Sequence, residues 1–338
     1  MSRLPRTIAF ALSISVVLAL APFALGTSAV AAPSGWTRIA TGGLGNPQHA
    51  AMFPLIEFQG KAYSFVPNTS GGGGPSIPAP VWAYDGQHWA KAAPEGFGDI
   101  NNSAISPGAV FQGQLYLGTS NYNAGGQLWR TPDGTHWERV SQAVISIPSN
   151  NNCWPLGVQD GKLIIAFDNY QTGVQAFTYD GSNFVRANID GFGEDAVALG
   201  MGATLNGRVN VIIQRRSPGT GVQEPVIPLA YAGGTTWEAT GAKGFGDTAN
   251  LASYVLSRDG DFLYTGTIND NGGQAWRFDG TNWSQINLGS ISTPRTTWCW
   301  LHPSRATCSS GPASSHPTAL RPDLASFIAR SRTGASRP

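Results

Sequence analysis

Five tight-turn segments, each closing on an aromatic residue, recur along the chain: YDGQHW ends at Trp89, PDGTHW at Trp137, YDGSNF at Phe184, AGGTTW at Trp237 and FDGTNW at Trp283. These aromatics are 48, 47, 53 and 46 residues apart. A second marker keeps the same beat: turn glycines Gly60, Gly113, Gly161, Gly207 and Gly260, spaced 53, 48, 46 and 53. Two independent markers on one period mean an array of one structural unit, which buries its apolar surface by stacking each unit on the next. Such a period is the length of a four-stranded propeller blade.

One unit, residues 103–141, spells out those strands. SAISPGAVF reads as an inner strand and Gln112–Gly113 as a turn. QLYLGT follows as a second strand, NYNAGG as a loop and QLWR as a third strand. HWERV is then the outer strand, entered through Asp133–Gly134, because Asp-Gly accepts the positive φ of a two-residue hairpin turn. Paired aromatics such as Trp129 with Trp137 and Trp276 with Trp283 suit packing between neighbouring sheets. The fold expected is all-β: a β-propeller of four-stranded blades, with five full repeats over residues 32–290 and an incomplete six-bladed ring.

TPDGTHW, residues 131–137, resembles the Asp-box of sialidase-type propellers, and FDGTNW and YDGSNF share the likeness more weakly. No residue separates Asp from Gly here, which departs from the box. The resemblance implies a structural hairpin between third and outer strands and no catalysis. More broadly, residues 36–288 resemble secreted bacterial propeller repeats of unassigned function.

Residues 35–40, GWTRIA, match an outer strand with no blade before it. Propellers remove a sheet edge by letting an N-terminal strand complete the last blade, so Trp36–Ala40 is expected to act as such a strand. From Arg295 onward the pattern stops: six Arg, no Lys, no Glu, one Asp and dense Ser and Pro. Residues 291–338 read as an atypical tail, either disordered or the product of a changed reading frame.

At the other end, Arg3 and Arg6 precede a 14-residue apolar run, Ile8 to Ala21, and small residues at Ala29–Ala31. The run is shorter than the roughly 20 residues of a bilayer span, so residues 1–31 read as a Sec-type signal peptide. The expected product is extracellular and monomeric, with no membrane span after cleavage. A net charge of +1, with charged residues only 12% of the chain, excludes the basic stripe that nucleic acid demands. Of three Cys, Cys153 alone lies in the repeats, where it suits a small buried apolar position. Five scattered His never fall at paired metal-ligand spacing.

Candidate sites fall on the face shared by the outer-to-inner linkers and the second-to-third-strand loops. GFGDINN and GFGDTAN place Asp99 and Asn102, and Asp247 and Asn250, identically. An Asn ends the second strand at Asn68, Asn121, Asn169 and Asn269, with Arg215 and then Arg216 in the fourth unit. Repetition suits turn chemistry, in which Asp and Asn bond back to nearby amides. It equally suits one shallow pocket per blade, with Tyr122, Tyr170 and Phe97 as faces for a sugar. Such pockets would take sugar hydroxyls or a bridging cation such as calcium, and no other cofactor is implied.

An enzyme instead needs unlike groups. Asp168, Glu194, Asp195, Arg215, Arg216 and Asp270 break the symmetry, and Asp168 with Glu194 or Asp195 offers the two carboxylates a glycosidase requires. Three readings follow. The first is a secreted propeller binding glycan or another extracellular surface ligand through its repeated loops. The second is a glycoside-active, sialidase-like hydrolase or lyase, and the third a truncated product without stable function.

Overall fold

The computed structural model describes residues 37–46, 56–65, 78–140, 144–217, 219–286, 298–302, 305–309 and 328–329. The signal segment, Trp36 and Asn68 lie outside the described residues. The chain is all-β, a β-propeller whose described elements are strands and four single 3-10 turns. Strands a, b, c and d name the inner to outer positions in each blade. Blade 1 is Ile56–Phe58, Lys61–Phe65, Val81–Tyr84 and Trp89–Lys91. Blade 2 is Ala104–Phe111, Gln114–Ser120, Leu128–Thr131 and Glu138–Val140. Blade 3 is Asn152–Gln159, Lys162–Asp168, Gln175–Tyr179 and Phe184–Arg186. In blade 4 strand a is split into Ala196–Leu199 and Ala203–Leu205, followed by Arg208–Arg216, Gln223–Gly233 and Thr236–Ala239. Blade 5 is Leu256–Asp259, Phe262–Gly266, Ala275–Phe278 and Trp283–Ile286. All neighbours pair antiparallel.

Local chemistry explains the a–b hairpins. Gln59–Gly60, Gln112–Gly113, Asp160–Gly161 and Asn206–Gly207 each put two successive residues at positive φ, as a two-residue primed turn demands. In the c–d hairpins, the Asp85, Asp180 and Asp279 carboxylates accept the amides two and three residues on. The Asp-box-like hairpin of blade 2 adds a second lock: Thr131 Oγ1 accepts the Gly134 amide at 2.8 Å. Gly134 must be glycine twice over, since its φ is 76° and a Cβ there would sit 1.8 Å from the Tyr63 hydroxyl of blade 1.

Strand b of blade 3 carries a continuous apolar run because both its faces are covered. Leu163, Ile165 and Phe167 pack with Phe111, Tyr116 and Leu128 of blade 2. Ile164 and Ala166, one residue out of phase, pack with Val209, Val211 and Ile213 of blade 4. The core is therefore a series of interblade layers, with others between blades 1 and 2 and between blades 4 and 5.

A repeated hydrogen bond ties blade to blade. The outer-strand Trp of one blade donates its indole N–H to the residue just past the preceding outer strand. Trp137 reaches Ala92 O at 2.9 Å, Trp237 reaches Ala187 O at 2.8 Å and Trp283 reaches Thr240 Oγ1 at 3.1 Å. Trp89 of blade 1 bonds Ile39 O at 2.8 Å, so Ile39 takes the place of Ala92, Ala187 and Thr240. Just before it, Thr37–Arg38 forms a strand that pairs antiparallel with Ile328–Ala329. Within the tail, Trp298–His302 pairs with Arg305–Ser309 as a second antiparallel hairpin.

Candidate functional site

One turn occurs four times, at Gly42–Gly45, Glu95–Gly98, Asp190–Gly193 and Lys243–Gly246, the last three between an outer strand and the next inner strand. Each contains a glycine followed by a bulky residue in the left-handed region: Leu44, Phe97, Phe192 or Phe245, with φ of 53–60°. That conformation costs about 1–2 kcal/mol for an L-residue. Ring burial offsets it, at about 2–3 kcal/mol for a phenylalanine. Phe97 lies flat on Trp129 with centroids 4.6 Å apart, and Phe245 on Trp276 at 5.0 Å. Expected as an open sugar platform, Phe97 is instead buried, one face covered by its tryptophan.

The turn leads into a closed polar network. Asp99 Oδ2 accepts from Asn121 Nδ2 and Gln127 Nε2, each at 3.1 Å. Asn102 donates to Gly96 O at 2.7 Å and Gln127 Oε1 at 3.0 Å, while its own Oδ1 accepts from Asn121 and Thr119. Asn121 Oδ1 accepts the amides of Asn123 and Ala124. Blade 5 copies the set: Asp247 accepts from Asn269 and Gln274, and Asn250 bonds Gly244 O, Gln274 and Thr267. In blade 3, Asn169 caps its own loop and bonds Asn150, which bonds Gln175.

These contacts turn the repeated residues inward. Asn102, Asn121, Asn169, Asn250 and Asn269 are buried, and Asp99 and Asp247 are half-buried with their carboxylates already taken. At the positions expected to form one pocket per blade, these polar atoms hold the linkers. Among the described residues no group of three or more His, Cys, Asp or Glu could hold a metal. Sequence reading missed Asn150 and the glutamines Gln127, Gln175 and Gln274, although a Gln opening strand c was a visible repeat.

Arg215 and Glu194 belong to the same scheme. Counting from the residue that closes each a–b hairpin (Gln114, Lys162, Arg208, Phe262), the seventh residue on is Asn121, Asn169, Arg215 or Asn269. Arg215 donates to Glu194 O at 2.7 Å and its guanidinium lies 3.4 Å from the Glu194 carboxylate. Glu194 also pairs with Lys243 at 2.9 Å. Glu194 follows its turn as Asp99 and Asp247 follow theirs, so Glu194–Arg215 replaces Asp–Asn. Asp195 is exposed, at a φ of 54°. Asp168 has partners of its own, Asn152 and the Leu199 amide.

The unlike residues stand on either side of the repeated one. The sixth residue on is Ser120, Asp168, Gln214 or Ile268, and the eighth is Tyr122, Tyr170, Arg216 or Asp270. Asp168 is 2% exposed and bridges blades 3 and 4: its carboxylate accepts from Asn152 Nδ2 at 2.7 Å and the Leu199 amide at 3.0 Å. Burial raises its pKa to about 7 against the pull of those donors and the Trp154 indole. Asn152 also lies 3.5 Å from the Tyr122 hydroxyl. Tyr122 and Tyr170 are 64% and 45% exposed, large rings left on the surface. Half-buried Arg216 lies over the Tyr170 ring at 5.5 Å. Tyr254 of blade 5 completes the group: the hydroxyls of Tyr170 and Tyr254 are raised by burial first and then by Asp168, with Arg216 opposing. Asp270 is exposed and outside these contacts.

Several solved structures are similar to the chain at low sequence identity. A Niastella koreensis GH74 enzyme is 15% identical over 73% of this chain and 38% of its own, with a TM-score of 0.45. A Penicillium chrysogenum alpha-L-arabinanase complexed with arabinobiose is 15% identical over 76% of this chain and 83% of its own, with a TM-score of 0.45. An Aleuria aurantia lectin in complex with Fucalpha1-6GlcNAc is 11% identical over 73% of this chain and 82% of its own, with a TM-score of 0.43. The chain thus spans well under half the length of the Niastella enzyme, and 41% of a Bacteroides ovatus GH43B protein. No protein-family model and no curated protein matches the chain. These solved structures include both glycoside hydrolases and glycan-binding lectins.

Proposed function

We propose that this chain is an exported glycan-binding propeller, carried out of the cell by residues 1–31, that takes its ligand at the unlike side chains of the loop face. The observation that carries this reading is the pair of exposed rings, Tyr122 and Tyr170, flanking the buried Asp168 carboxyl. Solvent-exposed rings gathered around a few convergent polar groups and a carboxyl of shifted pKa are the usual composition of a ligand site. A sugar matches that composition: its C–H face suits a tyrosine ring and its hydroxyls suit a carboxyl, an amide or a guanidinium. The turn network beneath holds the loops and needs no ligand of its own. Among the described residues no helix is long and apolar enough to cross a membrane.

Hydrolysis is the second reading, in which Asp168 would have to be uncovered to act as a general acid, since its carboxyl is 2% exposed and both oxygens accept protein donors. Glycan-array binding and reducing-sugar release separate the two. Binding lost in Tyr122→Ala/Tyr170→Ala with no sugar released supports the binder; release by wild type that Asp168→Asn abolishes supports the enzyme. Wild type that neither binds nor cleaves any glycan would remove both.

A further inference from the structure

Among the described residues, the arginines nearest this site differ in how they are used. Arg215 is paired with Glu194, through one backbone and one carboxylate contact. Arg216, the next residue, is half-buried, and no carboxylate among the described residues lies within ion-pair distance of it. Its guanidinium carbon lies 5.5 Å from the centroid of the Tyr170 ring, within cation–π range. A guanidinium so placed keeps N–H groups that can take a carboxylate through two parallel hydrogen bonds. Its position, eighth from the hairpin-closing residue, is that of Tyr122 and Tyr170 in the neighbouring blades, so it stands among the side chains left free by the turn network.

Local charge supports the same partner. Asp168 is the negative group that acts on Tyr170 and Tyr254, and it is fully buried and held between two blades. Its hydrogen bonds go to Asn152 and the Leu199 amide, and no ion pair joins it to Arg216. A half-buried cation in an aromatic setting gains most from an anion that arrives with the ligand.

We infer that the ligand is an acidic polysaccharide, and that Arg216, poised over the Tyr170 ring, grips the carboxylate of a uronate residue while the tyrosine rings hold the sugar. This deepens the glycan reading and rests on it. Binding of wild type, Arg216→Met, Arg216→Lys and Tyr122→Ala/Tyr170→Ala would be measured on immobilised polygalacturonate, alginate, methyl-esterified pectin, dextran sulfate and neutral galactan, with each variant's melting temperature as a fold control. Wild type is expected to prefer an unesterified polyuronate over the methyl ester and over dextran sulfate. Arg216→Met should lower that binding about tenfold or more, and Arg216→Lys should restore it only in part, because an ammonium cannot reproduce the bidentate fork. Equal binding of esterified and free polyuronate, or an Arg216→Met variant that binds like wild type, would overturn the inference. Tyrosine-dependent binding confined to neutral galactan would overturn it while leaving the glycan reading intact. Preference for dextran sulfate would replace carboxylate by sulfate and overturn the uronate assignment. No binding to any of the five would overturn the uronate inference and leave the glycan reading to the array.

Discussion

Arg215 stands against Glu194 as Asn121 stands against Asp99 and Asn269 against Asp247. The linker between blades 3 and 4 has exchanged a neutral donor and a short carboxylate for a charged donor and a longer one, keeping the contact and changing its chemistry. Residues that look asymmetric in the sequence can therefore serve the same structural end as the repeated ones.

That exchange is testable as a double-mutant cycle. Glu194→Ala should lower stability by about 1 kcal/mol, a modest cost because the pair is partly exposed. The paired change Glu194→Asp/Arg215→Asn should be better tolerated than the sum of its two singles, by roughly 0.5 kcal/mol or more, since it rebuilds the contact the other linkers use. Additive losses in urea unfolding would show that the two pairs are not equivalent.

The interblade tryptophans give a second expectation. Trp89→Phe keeps the ring and removes the N–H that reaches Ile39 O, so it should cost about 1 kcal/mol, as Trp137→Phe should for Ala92 O. Deleting residues 33–41 should then cost at least as much as Trp89→Phe, because the acceptor goes with the segment. A deletion variant with an unchanged melting temperature would contradict the role given to Ile39.

Asp168 sets a pH dependence with a definite sign. Its folded pKa, about 7, lies above the value of about 3.9 for an unfolded Asp, so the native state binds the extra proton between those limits. Its contribution to stability is full below pH 4, falls as pH rises from about 4 to 7, and is flat above. Exposed Asp85, Asp180 and Asp279 act the other way: amide hydrogen bonds lower their pKa, and their contribution is lost as pH falls below the ordinary carboxylate range. Asp168→Asn should flatten the pH 4–7 arm of the melting curve and leave the acid arm in place. An unchanged slope across that window would show that Asp168 titrates normally.

Much of this fold was legible because its signals are local. Gly113 announces its hairpin through backbone conformation alone, and Trp129 with Trp137 marks a blade-to-blade layer by its spacing; Asp133–Gly134, expected as a two-residue turn, lies in a longer loop between the paired Arg130 and Glu138 that the Thr131 and Asp133 side chains hold. The linker array was seen only where its letters repeat, as GFGD at Asp99 and Asp247. The copies at Leu44 and Phe192 were hidden, because Leu replaces Phe in one and Glu194 replaces Asp in the other while the left-handed turn is kept. Burial was the other limit. Asn121 reads equally well as a ligand contact and as a loop clasp, and only its partners Asp99, Asn102, Asn123 and Ala124 decide. Tyr254 carries no repeated letter; it lies just before the inner strand of blade 5, where burial and then Asp168 raise its hydroxyl.

The central claim is that the repeated residues hold the loops and the unlike residues hold the ligand. It is tested most directly by comparing two double variants for binding to the same immobilised glycan and for thermal stability. Asp99→Ala/Asp247→Ala should unfold at a lower temperature, each site losing about 1–3 kcal/mol as buried amides are left without their acceptor. Below that temperature it should bind within about twofold of wild type, since the network touches no ligand. Tyr122→Ala/Tyr170→Ala should melt like wild type and lose binding by about tenfold or more, the loss expected when exposed rings carry the contact. The reverse pattern, with binding lost in the aspartate variant at full stability and kept in the tyrosine variant, would contradict this account.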